Sequence, residues 1–327
     1  NYYDDFLSET YKDASDNPVM WSSGSTGTPF SMVQNKDKIN HNTAGGIFIS
    51  ALGGYYIGMK EAFVRVWMRN VRKSKIQLFA ENLIMMDSSV MDDKSLGEMI
   101  SVIKKKNVKC LIGYSSALAE ISKYIDEKQI DVSGCNMQAI IPISEALAVE
   151  ARRNLERQFK CHVRAWYSNE ENGVMGLQNI EDEGYYIDTE SYYMEILKLD
   201  SDEPAETGEL GRIVITDLFN YAFPVLRYDN GDLAIAEKQE KNGRFRFYLK
   251  ELYGRQSDII YDCDGNPVTP VSTNMWNLKG VKQFRFIQED VTRYTMCLNG
   301  DRNLIDVDDV IGRLKPFLTH PDRKSVV

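Results

Sequence analysis

The chain has 327 residues, of which 43% are hydrophobic and 27% charged, as in a soluble globular protein with one large and one smaller domain. Its net charge of −9 argues against non-specific binding of nucleic acid, which needs a basic surface. The five cysteines are widely spaced and odd in number, which favours reduced thiols over disulfides or structural zinc.

The longest apolar stretch, Gly45–Gly58, is too short and too rich in glycine to span a bilayer. We therefore expect no membrane association. The first residues carry no signal-peptide pattern, so a cytoplasmic location is expected.

The segment Trp21–Phe30 combines two glycines, one proline and five hydroxyl side chains. Glycines let a backbone approach an anion, and free N–H groups together with hydroxyls can cradle phosphate. The kinase-type pattern G-x-x-x-x-G-K-[ST] is not met, because no lysine follows Gly27. Taken alone, the segment fits either a phosphate cradle or a surface turn.

Helical and strand patterns alternate through the middle of the chain. Leu96, Met99, Ile100 and Ile103 recur at helical spacing within Lys94–Lys106. Ser115 can cap a second helix, and a third is predicted over Glu145–Phe159. The predicted strands between them are Val108–Gly113, Met137–Ile143 and Val163–Tyr167. This rhythm predicts a parallel sheet covered by helices.

From Tyr185 onward the pattern becomes that of short strands separated by turn residues such as Asn230-Gly231 and Asn242-Gly243. The predicted strands are Tyr185–Asp188, Tyr192–Leu199, Gly211–Leu218, Val225–Arg227 and Phe245–Leu249. A third pattern follows Gly254, with strands over Gln283–Gln288 and Tyr294–Leu298 and a helix over Val307–Leu318. We predict a large domain over residues 1–256 and a small α+β domain over residues 257–327.

Four clusters of polar residues follow the glycine-rich segment in order. Ser144-Glu145 stands where a predicted strand ends, which is where ligands bind in open α/β sheets, although Ser144 can equally cap a helix. Tyr167–Gly173 offers an aromatic ring, amides and two carboxylates, or simply an acidic surface loop. Arg227–Asp232 contains a carboxylate beyond Asn-Gly, the commonest hairpin turn. Gly254–Asp258 places an arginine at the predicted domain boundary, where it could also form a salt-bridged linker.

The order of these clusters resembles that of the adenylate-forming superfamily of acyl-CoA synthetases and ligases. The phenylacetate–CoA ligase branch, which includes the CapK-like proteins, is the nearer likeness. Four segments carry the resemblance: Ser22–Pro29 resembles [ST]-S-G-[ST]-T-G-x-P, Tyr167–Glu171 resembles Y-G-x-T-E, Tyr228–Asp232 resembles Y-R-T-G-D, and Gly254–Asp258 resembles G-R-x-D-D. Gly208–Gly211 is also similar, so the likeness extends over nearly the whole chain.

The resemblance implies an α/β fold with a parallel-rich core, a β-rich subdomain and a small mobile C-terminal domain. It also implies that a carboxylic acid is joined to AMP from ATP, with pyrophosphate released, and then passed to a thiol, CoA first. By the same resemblance Thr26, Glu171 and Arg255 are catalytic, and Glu171 with Thr26 holds Mg²⁺. The implied ATP or AMP contacts are Ser23, Gly24, Ser25, Thr26, Gly27, Thr28, Ser144, Glu145, Tyr167, Asn169, Asp232 and Arg255.

Departures from the family pattern leave alternatives open. Glu170, Asp229 and Ser257 replace the usual threonine, arginine and aspartate, and the family's C-terminal adenylation lysine has no good counterpart, since Lys324 lacks its context. We therefore expect a truncated C-terminal domain and a short N-terminal lead. One alternative is a nucleotide-binding homologue that has lost turnover, and another is a purely structural protein. If the protein is an enzyme, the acyl group could also pass to a carrier-protein thiol or to a sugar amine in polysaccharide biosynthesis. No zinc site is expected. The acid and the oligomeric state cannot be predicted.

Overall fold

The computed structural model describes residues 6–11, 17–21, 31–67, 72–179, 184–241, 244–255, 260–262, 267–268, 278–290 and 293–314. Near its start, β1 (Val19–Trp21) pairs antiparallel with β2 (Ser31–Val33). The glycine-rich segment joins these two strands. Its residues 22–30, and with them Ser23, Gly24, Ser25, Thr26, Gly27 and Thr28, lie outside the described residues.

Helix α1 (Lys36–Leu52) leads into a four-stranded sheet in which every neighbouring pair is parallel. In chain order the elements of this unit are β3 (Glu61–Arg65), α2 (Lys75–Ala80), β4 (Leu83–Asp87), α3 (Asp93–Lys105), β5 (Cys110–Tyr114), α4 (Ser115–Glu127), β6 (Ala139–Ile143) and α5 (Val149–Phe159). The strands lie side by side in the order β4-β3-β5-β6. The predicted alternation of parallel strands and covering helices is confirmed.

The core of this unit forms where the apolar face of α3 meets the sheet. Leu96, Met99, Ile100 and Ile103 are all buried, as their helical spacing predicted. They pack with Ala62 and other residues on one face of the strands, together with apolar residues of α4 and α5. A smaller cluster, which includes Ile112 and Ile143, covers the opposite face. Both faces of the sheet are therefore apolar, as in other parallel sheets.

Two predicted boundaries in this region were wrong. Helix α5 begins at Val149 rather than at Glu145, because the residues after β6 form a separate turn. The predicted strand Val163–Tyr167 is divided: Val163 makes an isolated parallel bridge to Ile140, and the strand proper starts at Trp166.

The second unit is a seven-stranded sheet. Its strands are β7 (Trp166–Asn169), β8 (Gly173–Gln178), β9 (Tyr185–Ile187), β10 (Tyr192–Leu197), β11 (Leu210–Asp217), β12 (Tyr228–Lys241) and β13 (Arg244–Arg255). They lie in the order β10-β11-β12-β13-β9-β8-β7, and each neighbouring pair is antiparallel. The meander from β10 to β13 thus closes onto β9. The mixed α/β fold that the sequence predicted is confirmed.

Asn230-Gly231 is not the hairpin turn that the sequence suggested. It lies inside β12, and Gly231 has a φ of +79°, a left-handed conformation that suits glycine. The pairing of β11 with β12 shifts register beside it, between Arg212 and Val214. An Asn-Gly pair can therefore occur at an irregularity within a strand as well as in a tight turn. The predicted strand Val225–Arg227 was likewise wrong, since β12 begins at Tyr228.

The described C-terminal part consists of β14 (Ile260–Tyr261), β15 (Pro267–Val268), β16 (Val281–Asp290), β17 (Arg293–Gly300) and α6 (Val307–Leu314). Leu278, Val310 and Leu314 form the centre of its apolar cluster. The predicted domain boundary after residue 256 stays a prediction. In the part of the chain that is described, no helix combines the length and the apolar character needed to cross a membrane.

Candidate functional site

The carboxyl end of β6 carries the predicted Ser144–Glu145 turn. The Ser115 hydroxyl donates to the Glu145 carbonyl at 2.6 Å, and the Ser116 amide donates to the Glu145 carboxylate at 2.9 Å. Ser144 is exposed and has a φ of +72°, which is uncommon for a residue with a Cβ. Strained backbone of this kind clusters at ligand sites.

Neither serine caps a helix here, so the capping alternative is wrong for Ser144 and the predicted cap is wrong for Ser115. The N-cap of α5 is Ala148, and that of α4 is Tyr114; neither side chain makes a capping hydrogen bond. Ser115 is the first residue of its helix, and its hydroxyl contacts the turn that follows β6 instead.

A buried hydrogen-bonded cluster joins β7 to β12. The Tyr167 hydroxyl donates to the Asp232 carboxylate at 2.9 Å, although 65 residues separate the two in the chain. The Asn230 side-chain amide donates to both, at 2.7 Å to the Tyr167 oxygen and 2.9 Å to the carboxylate. Asn230 also accepts from the Asp232 amide at 3.0 Å. Two side chains, Tyr167 and Asn230, thus hold the Asp232 carboxylate in place.

Arg255 completes this cluster from the end of β13. Its Nε lies 3.5 Å from Oδ1 of Asp232, and its guanidinium donates to the Asn230 carbonyl at 2.6 Å. A Cβ on Gly231 would lie 3.3 Å from Nη1 of Arg255, so glycine suits this close approach as well as its positive φ. The structure therefore brings together Tyr167, Asp232 and Arg255 of the predicted site.

Burial changes the acidity of this cluster. Desolvation raises the pKa of Asp232, while the hydrogen bond from Tyr167, the charge of Arg255 and the amide of Asn230 oppose that rise. Desolvation also raises the pKa of the Tyr167 hydroxyl, and the neighbouring Asp232 adds to that rise. Tyr167 therefore stays a hydrogen-bond donor at neutral pH.

Glu171 lies in the turn between β7 and β8 and is 4% exposed. Its carboxylate accepts from the Tyr228 hydroxyl at 3.1 Å, and its carbonyl accepts from the Gln34 side chain at 3.0 Å. Gln34 follows β2 directly, so this bond connects the end of β2 to the Glu171 turn. Asn169 shapes the same turn by accepting from the Asn172 amide at 2.7 Å.

A buried ion pair contacts the turn that contains Glu171. Lys38, in the first turn of α1, pairs with Asp217 at the end of β11, and their side chains are 1% and 0% exposed. Lys38 also donates to the Asn172 carbonyl at 2.8 Å and to the Tyr192 hydroxyl at 3.2 Å. Desolvation lowers the pKa of Lys38, and Asp217 partly offsets that shift.

Comparison with known proteins shows which fold the chain shares. No protein-family model matches the chain. Protein CapK from Staphylococcus aureus is 24% identical over 316 residues, which cover 90% of this chain and 66% of CapK. The chain thus spans about two thirds of that curated relative.

Three solved structures illustrate the structural likeness. A 2-hydroxyisobutyryl-CoA ligase bound to R3-HIB-AMP superposes with a TM-score of 0.65 at 11% identity, over 88% of this chain and 62% of the ligase. ATP-bound MatB from Rhodopseudomonas palustris superposes with a TM-score of 0.62 at 14% identity, over 91% of this chain and 62% of MatB. The anthranilate-CoA ligase AuaEII with anthranoyl-AMP superposes with a TM-score of 0.64 at 14% identity, over 92% of this chain and 61% of AuaEII. The fold is that of the adenylate-forming ligases.

Within this fold, some predicted contacts await a test. Adenine stacking by Tyr167 stays a prediction; the residue is 5% exposed and belongs to an apolar cluster that includes Met175 and Leu249. The roles of Ser144, Glu145 and Asn169 toward a nucleotide also stay predictions. Ser257 and the two residues beside it fall outside the described residues.

Sequence reasoning missed several members of the site. Asn230 was read as part of a turn, yet its side chain connects Tyr167 to Asp232. Tyr228 stood in a matched motif but had no role assigned. Gln34 and Lys38 lacked any signal, because a polar residue just after a strand or in a first helical turn is usually solvated.

Proposed function

We propose that this chain activates a carboxylic acid as acyl-AMP at the expense of ATP and then passes the acyl group to a thiol, CoA first. One observation carries the proposal: Tyr167, Asp232 and Arg255, which come from three separate motifs, meet in a single hydrogen-bonded cluster. The fold supports it, since the neighbours of known structure include ligases with bound acyl-AMP, ATP or CoA.

In the first step a carboxylate oxygen of the acid attacks the α-phosphorus of ATP. The bond from that phosphorus to the oxygen bridging the β-phosphate breaks, and pyrophosphate leaves. Hydroxyl and amide groups of the glycine-rich segment, Thr26 among them, bind the phosphates in this proposal. Arg255 offers a planar fork of donors to the ribose or the α-phosphate, and no side-chain nucleophile is required.

The nucleoside is bound by the buried cluster. Asp232 accepts from the ribose hydroxyls through Oδ1, because Oδ2 already accepts from Tyr167 and Asn230. The tyrosine ring contacts adenine on one side, and the backbone of the Ser144–Glu145 turn contacts it on the other. The strained φ of Ser144 supports a ligand at this turn.

A single carboxylate such as Glu171 suits Mg²⁺, whereas a metal ion bound only by protein side chains needs several ligands. Mg²⁺ prefers hard oxygen ligands, keeps several waters and usually takes one or two carboxylates plus substrate phosphates. Within the described ranges no group of three or more His, Cys, Asp or Glu residues could hold a metal. Glu171 and Thr26 would bind the ion, which when bound neutralises phosphate charge.

In the second step the thiol sulfur attacks the acyl carbon, and AMP leaves. CoA is the proposed acceptor; a carrier-protein thiol or a sugar amine would replace it if CoA gives no product. The cytoplasm, which supplies ATP and CoA, is the proposed location.

The test is acid-dependent exchange of pyrophosphate into ATP across a panel of carboxylic acids. We expect exchange in the wild type and a loss of about 100-fold or more in Glu171→Gln at fixed Mg²⁺. Glu150→Gln, on the exposed first turn of α5, is the matched control and should keep wild-type exchange. ATP binding without exchange for any acid would contradict the proposal and favour a nucleotide-binding homologue without turnover.

A further inference from the structure

At the carboxyl end of β3, the half-buried guanidinium of Arg65 lies between two aromatic rings. Phe63 and Arg65 are two residues apart in β3 and so share one face of the strand, and Trp67 follows two residues after the strand ends. The Arg65 carbon Cζ lies 5.6 Å from the centre of the Phe63 ring and 5.5 Å from that of Trp67. Trp67 is itself fixed, because its indole N–H donates to the Met86 carbonyl at 3.1 Å. This hydrogen bond holds the Trp67 ring in place beside Arg65.

Arg65 has no polar partner for its side chain in the part of the chain that the structure describes. Its Nε is enclosed and makes no hydrogen bond. Asp87, which stands level with Arg65 on β4, instead contacts Arg72 at 3.4 Å and the Ser89 amide at 3.0 Å. A buried guanidinium nitrogen without a hydrogen-bond partner is unfavourable. Its fixed fork of donors suits a carboxylate or phosphate.

The register of the sheet places Arg65 near the proposed acyl-adenylate site. Val64 is level with Gly113, and Gly113 with Pro142, so Arg65 stands level with Tyr114 and Ile143. Two strand spacings, roughly 10 Å, separate β3 from β6. The Ser144 turn follows Ile143 directly. Arg65 is thus at the edge of the sheet where ligands of open α/β folds bind.

The face on which Arg65 lies is the one turned toward β7. Ala62 and Val64 pack against the covering helices, and Phe63, two residues before Arg65, packs on the other side. The cluster on that side includes Ile143 and Trp166, the first residue of β7. Glu171 follows the end of β7. An acid bound between these elements would have Arg65 within reach of its far end.

We propose that Arg65 binds a second anionic group on the acid, so that the substrates are acids bearing a further carboxylate or a phosphate. This inference rests on the proposed function for the reaction itself. The phosphates of CoA offer the same chemistry to a guanidinium. CoA is therefore titrated separately into the wild type and into Arg65→Gln.

The test is calorimetric titration with the dicarboxylates from malonate to adipate, and with phosphonoacetate, each paired with the monocarboxylate of equal carbon number, with and without ATP. At least one dianionic acid should bind the wild type tenfold or more tightly than its partner. In Arg65→Gln that ratio should fall to about one. Arg72→Gln, an exposed arginine near the same edge, should keep the wild-type ratio.

Arg65→Lys, which keeps the charge but loses the planar fork, should give an intermediate ratio and guards against a misfolded glutamine variant. The inference is overturned if no dianionic acid is preferred, if Arg65→Gln keeps the preference, or if that variant weakens only CoA. In the titrations without ATP no turnover can occur, so they measure binding alone. An Arg65-dependent preference there, without pyrophosphate exchange in the exchange assay, would contradict the proposed function and leave this inference standing.

Discussion

Glu61 starts β3 on the same face as Phe63, and its carboxyl group is largely buried. Burial raises its pKa from the usual 4.5 to about 7, while the charge of Lys73 and a hydrogen bond from Tyr55 oppose that rise. Because the folded protein holds this proton more tightly than the unfolded chain, the stability it contributes is complete below pH 4.5 and is lost as the pH rises to about 7.

Replacing Glu61 with glutamine should therefore remove this loss. At pH 8 we expect Glu61→Gln to raise the free energy of unfolding by up to about 3 kcal/mol, and at pH 4.5 to leave it nearly unchanged. Urea denaturation at both pH values measures the difference. Glu98→Gln, at an exposed position of α3, is the control. Equal effects of the glutamine at both pH values would contradict the assignment.

At the level of single residues, the sequence predicted those site members that belong to ordered motifs. Tyr167, Asp232 and Arg255 could be singled out because their motifs follow one another along the chain. The contacts among them could not be predicted, since the Asn230 amide reaches Tyr167 across two strands that are distant in sequence. Nor does a sequence reveal that Lys38 is buried.

At the level of elements, regular periodicity predicted well and turn chemistry predicted poorly. The spacing of Leu96, Met99, Ile100 and Ile103 defined α3, because a helix with one apolar face has few alternatives. The start of α5 was misplaced because Ser144-Glu145 resembles a helix start. Its polar groups instead contact Ser115 and Ser116 of a different helix, and such a tertiary contact overrides local preference.

The ion pair between Lys38 and Asp217 joins α1 to β11. Removing one partner leaves the other charge buried without compensation, so Lys38→Met should lower the free energy of unfolding by about 3–5 kcal/mol. Lys36→Met, at an exposed position in the same helical turn, should change it little. Urea denaturation of the two variants makes the comparison.

The double variant Lys38→Met with Asp217→Asn should recover part of the loss. In the wild type the backbone amides of Phe219 and Asn220 donate to the Asp217 carboxylate at 2.9 and 3.1 Å. Asparagine keeps an oxygen that can accept these two hydrogen bonds, but it carries no charge. If Lys38→Met were as stable as Lys36→Met, the pair would have no such structural role.

At the scale of the whole molecule, the sequence predicted a parallel unit followed by β-rich structure, and the structure has both. It could not predict the strand order, because that order depends on pairing between distant segments. The described C-terminal residues form an apolar cluster around Leu278 and Val310. That cluster is consistent with a separate small domain, which stays a prediction until the boundary after residue 256 is tested.

The order of the seven-stranded sheet has a consequence for synthesis. β9 pairs with β8 on one side and with β13 on the other, where Tyr185 is level with Leu249. Among the described strands, β7, β8 and β9 therefore join the rest of the sheet only through β13. The parallel unit, by contrast, is complete once α5 has been made. On the ribosome the N-terminal unit can fold while the turn bearing Glu171 waits for strands not yet translated.

Nascent chains arrested after Asp217 should therefore protect β3, β5 and β6 from proteolysis but leave β7 to β9 sensitive, whereas arrest well beyond Arg255 should protect both groups. Simultaneous protection at the earlier arrest point would refute this order. The parallel unit, which contains Arg65 and is proposed to select the acid, would then fold first. The nucleotide site, which needs β12 and β13, would form last.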